Sequence, residues 1–266
     1  MNRSLQELLS LKGKTAVVTG GAGYLGTAIS ETLAELGANL VIASRDKAKC
    51  EKKSEELVRS TGGAIQAVGL ELDLLKKDSA VEFFAQVHQH FKAIDILVNN
   101  AWSGNKNSWE SITEKDWEYD VNMSLNSVFR MTKAAFEDLK TTRGVILNIG
   151  SLYSHLAPDY RMYDGKEFAN PPSYGAAKAG VIQFTKYLAS FLSPYGIRVN
   201  ALSPGAFPHP PTQKHKEFME RLAAKNIMNR IGEPDDLKGA IALLCSDAGK
   251  YITGQDLHVD GGWGVW

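Results

Sequence analysis

Short apolar runs alternate with longer amphipathic runs along almost the whole chain, and this alternation restricts the possible folds most strongly. The runs 15–19, 39–43 and 144–149 are largely apolar without a polar residue at every second position, which is typical of strands that helices cover on both faces. The helical pattern 25–36 lies between two of them and is followed by Gly37, a residue type that commonly ends helices. Seven strand–helix alternations without repeats predict one α/β domain built on a doubly wound parallel sheet. The other predicted strands are 64–70, 94–99, 198–201 and 257–259, and the other predicted helices are 47–60, 79–91, 114–140, 174–193 and 234–245.

The composition is that of an ordinary globular domain. The chain has 266 residues, 44% of them hydrophobic, which is enough for a core without disulfides or a structural metal. Lys plus Arg and Asp plus Glu number 30 each, so no excess of positive charge indicates a nucleic-acid or membrane-surface partner. The two cysteines, Cys50 and Cys245, favour a reducing cytoplasm. No run reaches the ~20 apolar residues of a membrane helix, and the start of the chain has the pattern of a short amphipathic helix rather than a signal peptide.

Two segments have neither a strand nor a helix pattern and are rich in Pro and aromatic residues: 155–172 and 207–213. Loops longer than ~12–15 residues in a compact domain are usually functional or disordered. We therefore predict a single domain over residues 1–266, with substrate-contacting loops at about 152–173 and about 206–228.

A glycine-rich run lies between the first predicted strand and the first predicted helix. Glycines let the backbone turn tightly and approach a pyrophosphate, and the helix N-terminus directs N–H groups and its positive dipole end at that anion. The strand–loop–helix position is the one that a dinucleotide requires. The predicted phosphate-binding residues are Gly20, Gly23, Tyr24, Leu25 and Gly26.

The end of the second predicted strand bears on which dinucleotide binds. An acidic residue at this point accepts hydrogen bonds from the adenosine ribose and repels a 2′-phosphate. This chain has Ser44-Arg45 instead, and a hydroxyl with a guanidinium can bind a 2′-phosphate. Asp46 follows directly and weighs against this interpretation. The sequence favours NADP and leaves NAD open.

Tyr174 and Lys178 lie four residues apart near the start of a predicted helix, so both project from one face. A free tyrosine titrates near pH ~10, and a neighbouring ammonium favours the phenolate. We therefore expect Lys178 to lower the pKa of Tyr174 toward the range useful for general acid–base catalysis. Ser151 follows a predicted strand, at the edge where doubly wound sheets bind ligands, and its hydroxyl is expected to hold the substrate oxygen.

These features occur together with Asp73-Leu74, Asn99-Asn100-Ala101, Asn122, Pro204-Gly205, Gly254-Gln255 and Asp260-Gly261-Gly262. Over nearly the whole chain the set resembles the short-chain dehydrogenase/reductase family. The resemblance implies a Rossmann fold and hydride transfer between NADP(H), or NAD(H), and a CH–OH or carbonyl group, with no metal ion. It also implies a homotetramer or homodimer.

The resemblance also implies roles for individual residues. The catalytic set is Asn122, Ser151, Tyr174 and Lys178, in which Asn122 holds a water of a proton relay and Lys178 also binds the nicotinamide ribose. Adenine-side contacts come from Asp73 and Leu74, ribose-side contacts from Asn100 and Ala101, and contacts near the nicotinamide carboxamide from Pro204, Gly205 and Phe207.

Three departures from the family pattern keep alternatives open. Tyr24 replaces a glycine of the family's shorter branch, and the resulting spacing resembles the longer branch of nucleotide-sugar epimerases and dehydratases. Tyr174 lies 23 residues after Ser151, which is unusually far for the shorter branch. Trp102 stands where a glycine usually follows Asn-Asn-Ala, and His209 stands near the place of a threonine. The chain is too short for the longer branch's substrate domain, so the shorter branch is favoured.

The long segment between Ser151 and Tyr174 is expected to overhang the pocket. Its polar and aromatic residues suit a polyhydroxylated ligand, and Arg161 or Lys166 can bind a carboxylate or phosphate. The segment resembles that of members involved in surface-sugar or flagellin-glycan biosynthesis, and the chain as a whole resembles gluconate dehydrogenases. A sugar, sugar acid or sugar phosphate is therefore the predicted substrate; a 3-oxoacyl-carrier-protein reductase, an epimerase or dehydratase, and a non-catalytic cofactor-binding protein stay as alternatives. The predicted substrate contacts are Trp102, Tyr153, His155, Arg161 and His209.

Overall fold

The computed structural model describes residues 2–165 and 169–265. Within these ranges, one sheet contains the strands β1 Thr15–Thr19, β2 Asn39–Ser44, β3 Ala67–Glu71, β4 Ile96–Asn99, β5 Val145–Ile149, β6 Arg198–Pro204 and β7 Asp256–Val259. All neighbouring strands are parallel, and their order is β3-β2-β1-β4-β5-β6-β7. The chain reverses its direction of progress between β1 and β4, and doubly wound sheets bind their ligands at such a switch point.

Helices cover both faces of the sheet. Successive strand residues alternate in direction, so Val18 packs into the core on one face and Val17 into the core on the other. The first core includes α2 Tyr24–Glu35, α3 Lys47–Ser60 and α9 Lys238–Cys245, and the second includes α4 Ser79–Val87, α6 Ser127–Thr142 and α7 Pro172–Leu192. The predicted α/β class with helices on both faces is confirmed. The helices are α1 Leu5–Leu9, α2 Tyr24–Glu35, α3 Lys47–Ser60, α4 Ser79–Val87, α5 Glu114–Val121, α6 Ser127–Thr142, α7 Pro172–Leu192, α8 Lys216–Ala223 and α9 Lys238–Cys245.

The predicted helix 114–140 is not continuous. It divides into α5 and α6 around a π-helical turn at Asn122–Asn126, where the Ser127 N–H donates to the Asn122 carbonyl. A π-turn adds one residue to the helix and is frequent at functional sites. Apolar periodicity did not indicate this turn, because a one-residue insertion changes the pattern too little.

The two segments expected to be loops pack against each other. The first contains single 3₁₀ turns at Leu152–Ser154 and Tyr160–Met162, and the second contains α8, a helix that the sequence analysis missed. Leu152, Met162, Leu222 and Trp263 form a small apolar cluster away from the main cores. This cluster fixes both segments above the carboxyl edge of the sheet.

None of the helices within the described ranges combines the length and apolar character needed to cross a lipid bilayer. The predicted cytoplasmic location stays a prediction.

Candidate active site

A cavity of about 790 Å³ opens at the carboxyl edge of the sheet, around the ends of β1, β2, β4, β5 and β6. Residues far apart in the chain meet there because parallel strands all end at the same edge. The cavity is lined by most of the residues that the sequence analysis selected: Gly20, Gly23, Tyr24, Leu25, Gly26, Ser44, Arg45, Asp73, Leu74, Asn100, Ala101, Trp102, Ser151, Tyr153, Tyr174, Lys178, Pro204, Gly205, Phe207 and His209.

Three of the selected residues lie outside this lining. Asn122 begins the π-turn, and its side-chain oxygen accepts a hydrogen bond from Asn126 at 2.8 Å. The side chain of Arg161 is 86% exposed and is bound by both carboxylate oxygens of Asp159 at 2.8 Å. The expectation that Arg161 overhangs the pocket is not met, because a neighbouring carboxylate two residues away already holds its guanidinium. Lys166 lies outside the described residues.

The third residue outside the lining is His155, which packs against the edge strand β7. Its ring stacks on His258 with 4.1 Å between centroids, and the Nε2 atom of His258 lies 3.1 Å from the Asp256 carboxylate. The ligand atoms of these three residues lie within 4.8 Å of one another. The sequence analysis predicted no metal ion and did not connect these residues, because His155 and β7 are far apart in the chain. The structure therefore brings together three potential metal ligands that neighbour spacing could not indicate.

The glycine-rich loop is packed too closely to accept side chains at two positions. Gly20 has φ +65°, a left-handed conformation that favours glycine. A Cβ atom on Gly26 would lie 2.0 Å from the Gly20 carbonyl oxygen. Gly23 precedes α2 as its N-cap, so the first N–H groups of this helix open onto the cavity. This cradle fits a pyrophosphate, since helix N-termini with a close backbone approach bind phosphate groups.

The part of the cavity at the end of β2 carries two cations. Arg45 lines it, as the sequence predicted, and so does Lys49, which the sequence analysis missed. The Asp46 carboxylate accepts a hydrogen bond from the Lys49 backbone N–H at 3.0 Å and caps α3. Its charge therefore stabilises the helix terminus, and Asp46 also lines the cavity beside Arg45 and Lys49, where it still weighs against a bound phosphate.

Tyr174 and Lys178 project from the first turns of α7 into the cavity floor beside Ser151. The Lys178 ammonium is buried and donates to the Ile149 carbonyl at 2.6 Å, and burial lowers its pKa to about 8. Loss of solvent raises the pKa of Tyr174, and a hydrogen bond with Ser151 lowers it by less. The expected lowering of the pKa of Tyr174 by Lys178 is thus absent, because the ammonium is directed at the end of β5 and lies 5.8 Å from the ring centroid of Tyr174.

Buried polar residues hold the catalytic elements in register. Asn99 donates to Asn148 at 2.8 Å, and Asn148 donates to Thr185 of α7 at 2.9 Å. At the start of α7, the Ser173 hydroxyl donates to the buried Asp120 carboxylate at 2.5 Å. Buried polar groups of this kind occur in protein interiors where their hydrogen bonds are satisfied. A polar residue in an otherwise apolar strand, such as Asn148, is the sequence signal that could have revealed the first network.

The wall beside Tyr174 is aromatic and polar. The Trp102 ring meets the Tyr174 ring edge to face at a centroid distance of 5.1 Å. On the side of the long segment, the hydroxyls of Tyr153 and Tyr163 lie 2.8 Å apart. Tyr163, Asn170, Ser103 and Lys106 also line the cavity and were missed, because nothing in their spacing marks them as neighbours of Tyr174.

Tyr24, which replaces a glycine of the family pattern, connects the phosphate loop to the second long segment. Its ring lies 4.9 Å from that of His209, and its hydroxyl accepts a hydrogen bond from Gln213 at 3.2 Å. His209 therefore stands over the phosphate end of the cavity. Desolvation, followed by the nearby Lys106 charge, lowers the pKa of His209.

A sheet with this strand order, a phosphate cradle at its switch point and a serine, tyrosine and lysine on one cavity floor define a nucleotide-dependent oxidoreductase. A family model for short-chain dehydrogenases, described as enoyl-(acyl carrier protein) reductase, matches residues 21–264. The chain belongs to the short-chain dehydrogenase/reductase family, and it is an oxidoreductase acting on CH–OH groups.

Relatives with two different activities are similarly close. The chain is 31% identical over 256 residues to the 3-oxoacyl-[acyl-carrier-protein] reductase FabG of Aquifex aeolicus, covering 96% of this chain and 98% of the relative. It is 34% identical over 269 residues to 2-dehydro-3-deoxy-D-gluconate 5-dehydrogenase of Bacillus subtilis, covering 97% and 98%. The crystal structure of a gluconate 5-dehydrogenase from Burkholderia cenocepacia, in complex with NADP and tartrate, superposes with a TM-score of 0.87 at 28% identity and covers 99% of this chain and all of that one.

Replacing Tyr174 by Phe removes the hydroxyl and keeps the ring that packs on Trp102. We expect kcat to fall by roughly 10²–10⁴-fold, the usual contribution of a general acid or base, while the Kd for the cofactor is unchanged. Single-turnover kinetics and fluorescence titration measure the two quantities. Tyr251→Phe, at a fully exposed position, is the matched control. A Tyr174→Phe enzyme with the kcat of the wild type contradicts the assignment.

Proposed function

We propose that the protein is an NADP(H)-dependent oxidoreductase that interconverts a secondary alcohol and a ketone on a sugar, sugar acid or sugar phosphate. The observation that carries the proposal is the cavity wall beside Tyr174, where hydroxyl, amide and ring groups alternate. Ligands with several hydroxyls are bound by hydrogen bonds from such groups and by contact with ring faces. The residues concerned are Trp102, Ser103, Tyr153, Tyr163, Asn170 and His209.

The comparisons support a polyhydroxylated substrate and NADP. The Bacillus relative acts on a deoxy sugar acid, as its name states. The Burkholderia enzyme is a gluconate 5-dehydrogenase whose structure contains NADP and tartrate, a hydroxylated acid. Arg45 and Lys49 at the adenosine end supply the positive charge that a 2′-phosphate requires.

In the proposed reaction a bound nicotinamide would supply or accept the hydride. The side chains of this protein would transfer the proton. During reduction Tyr174 donates its phenolic proton to the carbonyl oxygen as that oxygen becomes a hydroxyl; during oxidation it removes the hydroxyl proton. The Ser151 hydroxyl donates a hydrogen bond to the same oxygen and holds it beside Tyr174. Lys178, whose ammonium donates to the Ile149 carbonyl, would hold the nicotinamide ribose, as the family resemblance implies. Asn122 stays a candidate for the proton relay that connects Lys178 to solvent.

Reduction of a 3-oxoacyl group on a carrier protein is the second candidate function. The observation that favours it is the 31% identity to the Aquifex reductase over almost the full length of both chains. The same Ser151, Tyr174 and Lys178 would perform that chemistry, so the catalytic residues do not separate the two candidates. The difference lies in the wall of the cavity, which for an acyl chain requires apolar rather than hydroxyl-rich surface.

A substrate screen tests the proposal directly. Sugar acids, sugars, sugar phosphates and polyols are supplied with NADP⁺ and NAD⁺, and the corresponding ketones and acetoacetyl-CoA with the reduced cofactors. We expect turnover on at least one sugar-derived compound, because the hydroxyl-rich wall pairs with its hydroxyls, followed as the change in nicotinamide absorbance. Turnover of acetoacetyl-CoA alone overturns the proposal in favour of the second candidate.

Cofactor preference depends on Arg45. Replacing Arg45 by Ala removes a charge-assisted contact to the 2′-phosphate, so we expect KM for NADPH to rise by roughly tenfold or more and KM for NADH to change little. Initial-rate kinetics with each cofactor measure the effect. Arg59→Ala, at an exposed position near the other end of α3, is the matched control. A wild-type enzyme that prefers NADH excludes NADP as its cofactor.

An exposed aromatic surface supports self-association. Phe129 on α6 and Tyr187 and Phe191 on α7 are each more than half exposed, and the rings of Tyr187 and Phe191 stack at 5.9 Å. Exposed apolar clusters of this kind mark interaction sites. We propose that these helices pair between subunits in a homodimer or homotetramer.

Replacing Tyr187 and Phe191 together by Lys introduces charge on this surface and is expected to lower the mass in solution, measured by multi-angle light scattering. Val81→Lys, on the exposed face of α4, is the control. An unchanged mass for the double variant rejects this surface as the interface.

A further inference from the structure

Lys106 places a positive charge in the cavity wall beside the catalytic tyrosine. It lies in the connection between β4 and α5, and its Nζ atom is 5.4 Å from the centroid of the Trp102 ring. The same Trp102 ring packs on Tyr174 at 5.1 Å. The ammonium is therefore one aromatic ring away from the phenol that exchanges the substrate proton.

The charge of Lys106 is not neutralised by an ion pair within residues 2–165 and 169–265. Its polar contact with the described residues is neutral: Nζ donates to the side-chain oxygen of Asn170 at 3.2 Å. The negative charge of Asp120 acts on Lys106 without a direct ion pair, and the two Asp120 carboxylate oxygens accept hydrogen bonds from the Ser173 hydroxyl at 2.5 Å and the Asn105 backbone N–H at 3.0 Å. The Lys106 ammonium therefore keeps N–H donors that the anion of a ligand can use.

Lys106 is accessible to a ligand, since its side chain is exposed at the mouth of the cavity that it lines. The surrounding protein still removes enough water to lower its pKa. A charge in this position interacts with an anion more strongly than a cation in open solvent does, because the effective dielectric constant is lower.

The wall also holds a neutral donor beside Lys106. Asn170 lines the cavity, and its side-chain oxygen accepts from Lys106, so its NH₂ group remains as a donor. The Trp102 Nε1–H has no hydrogen-bond partner among the described residues, but it is buried and out of reach of a ligand. The ammonium and the amide N–H form a set that carboxylate oxygens can accept from.

We infer that Lys106, positioned by Trp102 and Asn170, binds the carboxylate of the substrate and makes the enzyme selective for sugar acids over neutral sugars. The inference rests on the proposed function, which it narrows to one substrate class. A carboxylate is favoured over a phosphate because a single ammonium balances a monoanion. Of the other cations that line the cavity, Arg45 and Lys49 lie at the adenosine end, and the Lys178 ammonium donates to the Ile149 carbonyl.

The test compares an acid and a neutral polyol of equal length. D-Gluconate and D-sorbitol are assayed with NADP⁺ on wild-type enzyme, Lys106→Met, Lys106→Arg and Lys92→Met. Methionine keeps the length of the lysine side chain and removes its charge, arginine keeps the charge, and Lys92 is an exposed lysine before β4, at the opposite edge of the sheet. The Kd for NADPH is measured for each variant to establish that the cofactor site is intact.

We expect Lys106→Met to raise KM for gluconate by roughly tenfold or more, the usual loss for a hydrogen bond to a charged group. KM for sorbitol and the Kd for NADPH should stay unchanged, Lys106→Arg should recover most of the affinity for gluconate, and Lys92→Met should match the wild type. Equal effects on gluconate and sorbitol overturn the inference while leaving the proposed function intact. A loss confined to sugar phosphates overturns the carboxylate assignment.

Direct binding separates a failure of the inference from a failure of the proposed function. The proposed function is rejected if no sugar-derived compound is turned over. In that case calorimetric titration of tartrate into the NADP⁺-loaded protein tests whether Lys106 binds a carboxylate. Tartrate binding that is lost in Lys106→Met and retained in Lys106→Arg upholds a carboxylate site. Equal binding by wild type and Lys106→Met, or no binding by either, overturns it.

Discussion

The parallel sheet imposes the constraint on which everything else in this molecule depends. Its strands need helices on both faces, so each connection crosses back and each strand ends at the same edge. The ends of β1, β4, β5 and β6 thereby bring Thr19, Asn100, Ser151 and Gly205 around one cavity. The bond from Lys178 to the Ile149 carbonyl then ties α7 to the end of β5. Any shift of that strand would move the catalytic lysine with it.

Electrostatics divide the cavity into three regions. The adenosine end holds Arg45 and Lys49, the phosphate loop offers backbone N–H groups, and the wall beside Tyr174 holds Lys106. At the centre, desolvation opposes charge on both catalytic groups, raising the pKa of Tyr174 and lowering that of Lys178. These opposite shifts move the two groups apart in proton affinity, so that the Tyr174 phenol holds its proton more tightly than the Lys178 ammonium does.

The predictions from sequence succeeded where local chemistry decides the outcome. The strand–loop–helix context of Gly20 to Gly26 defines a phosphate cradle because close backbone packing requires glycine there. The four-residue spacing of Tyr174 and Lys178 places both on one face of a helix by geometry alone. Family motifs added residues such as Pro204 and Gly205, which line the cavity as expected.

The predictions failed where the position of a side chain depends on which of several neighbouring groups it contacts. Arg161 had the right charge and the right segment, but Asp159 binds its guanidinium outside the cavity. His155 turns toward His258 on β7. Lys106, in a segment without any motif, faces the cavity instead. The contact of His155 joins residues far apart in the chain, and that of Arg161 depends on a local turn; apolar periodicity carries no information about either.

By itself, therefore, the sequence determined the fold class, the phosphate cradle and the serine, tyrosine and lysine of the cavity floor. Apolar periodicity specifies strands and helices, and fixed local spacing specifies which residues share the face of a helix. Only the tertiary structure decided which cations line the cavity, how burial shifts the pKa values of Tyr174 and Lys178, and where the π-turn interrupts α5 and α6. These properties follow from desolvation and from distances through space, and both are set only when the two long segments have packed over the edge of the sheet.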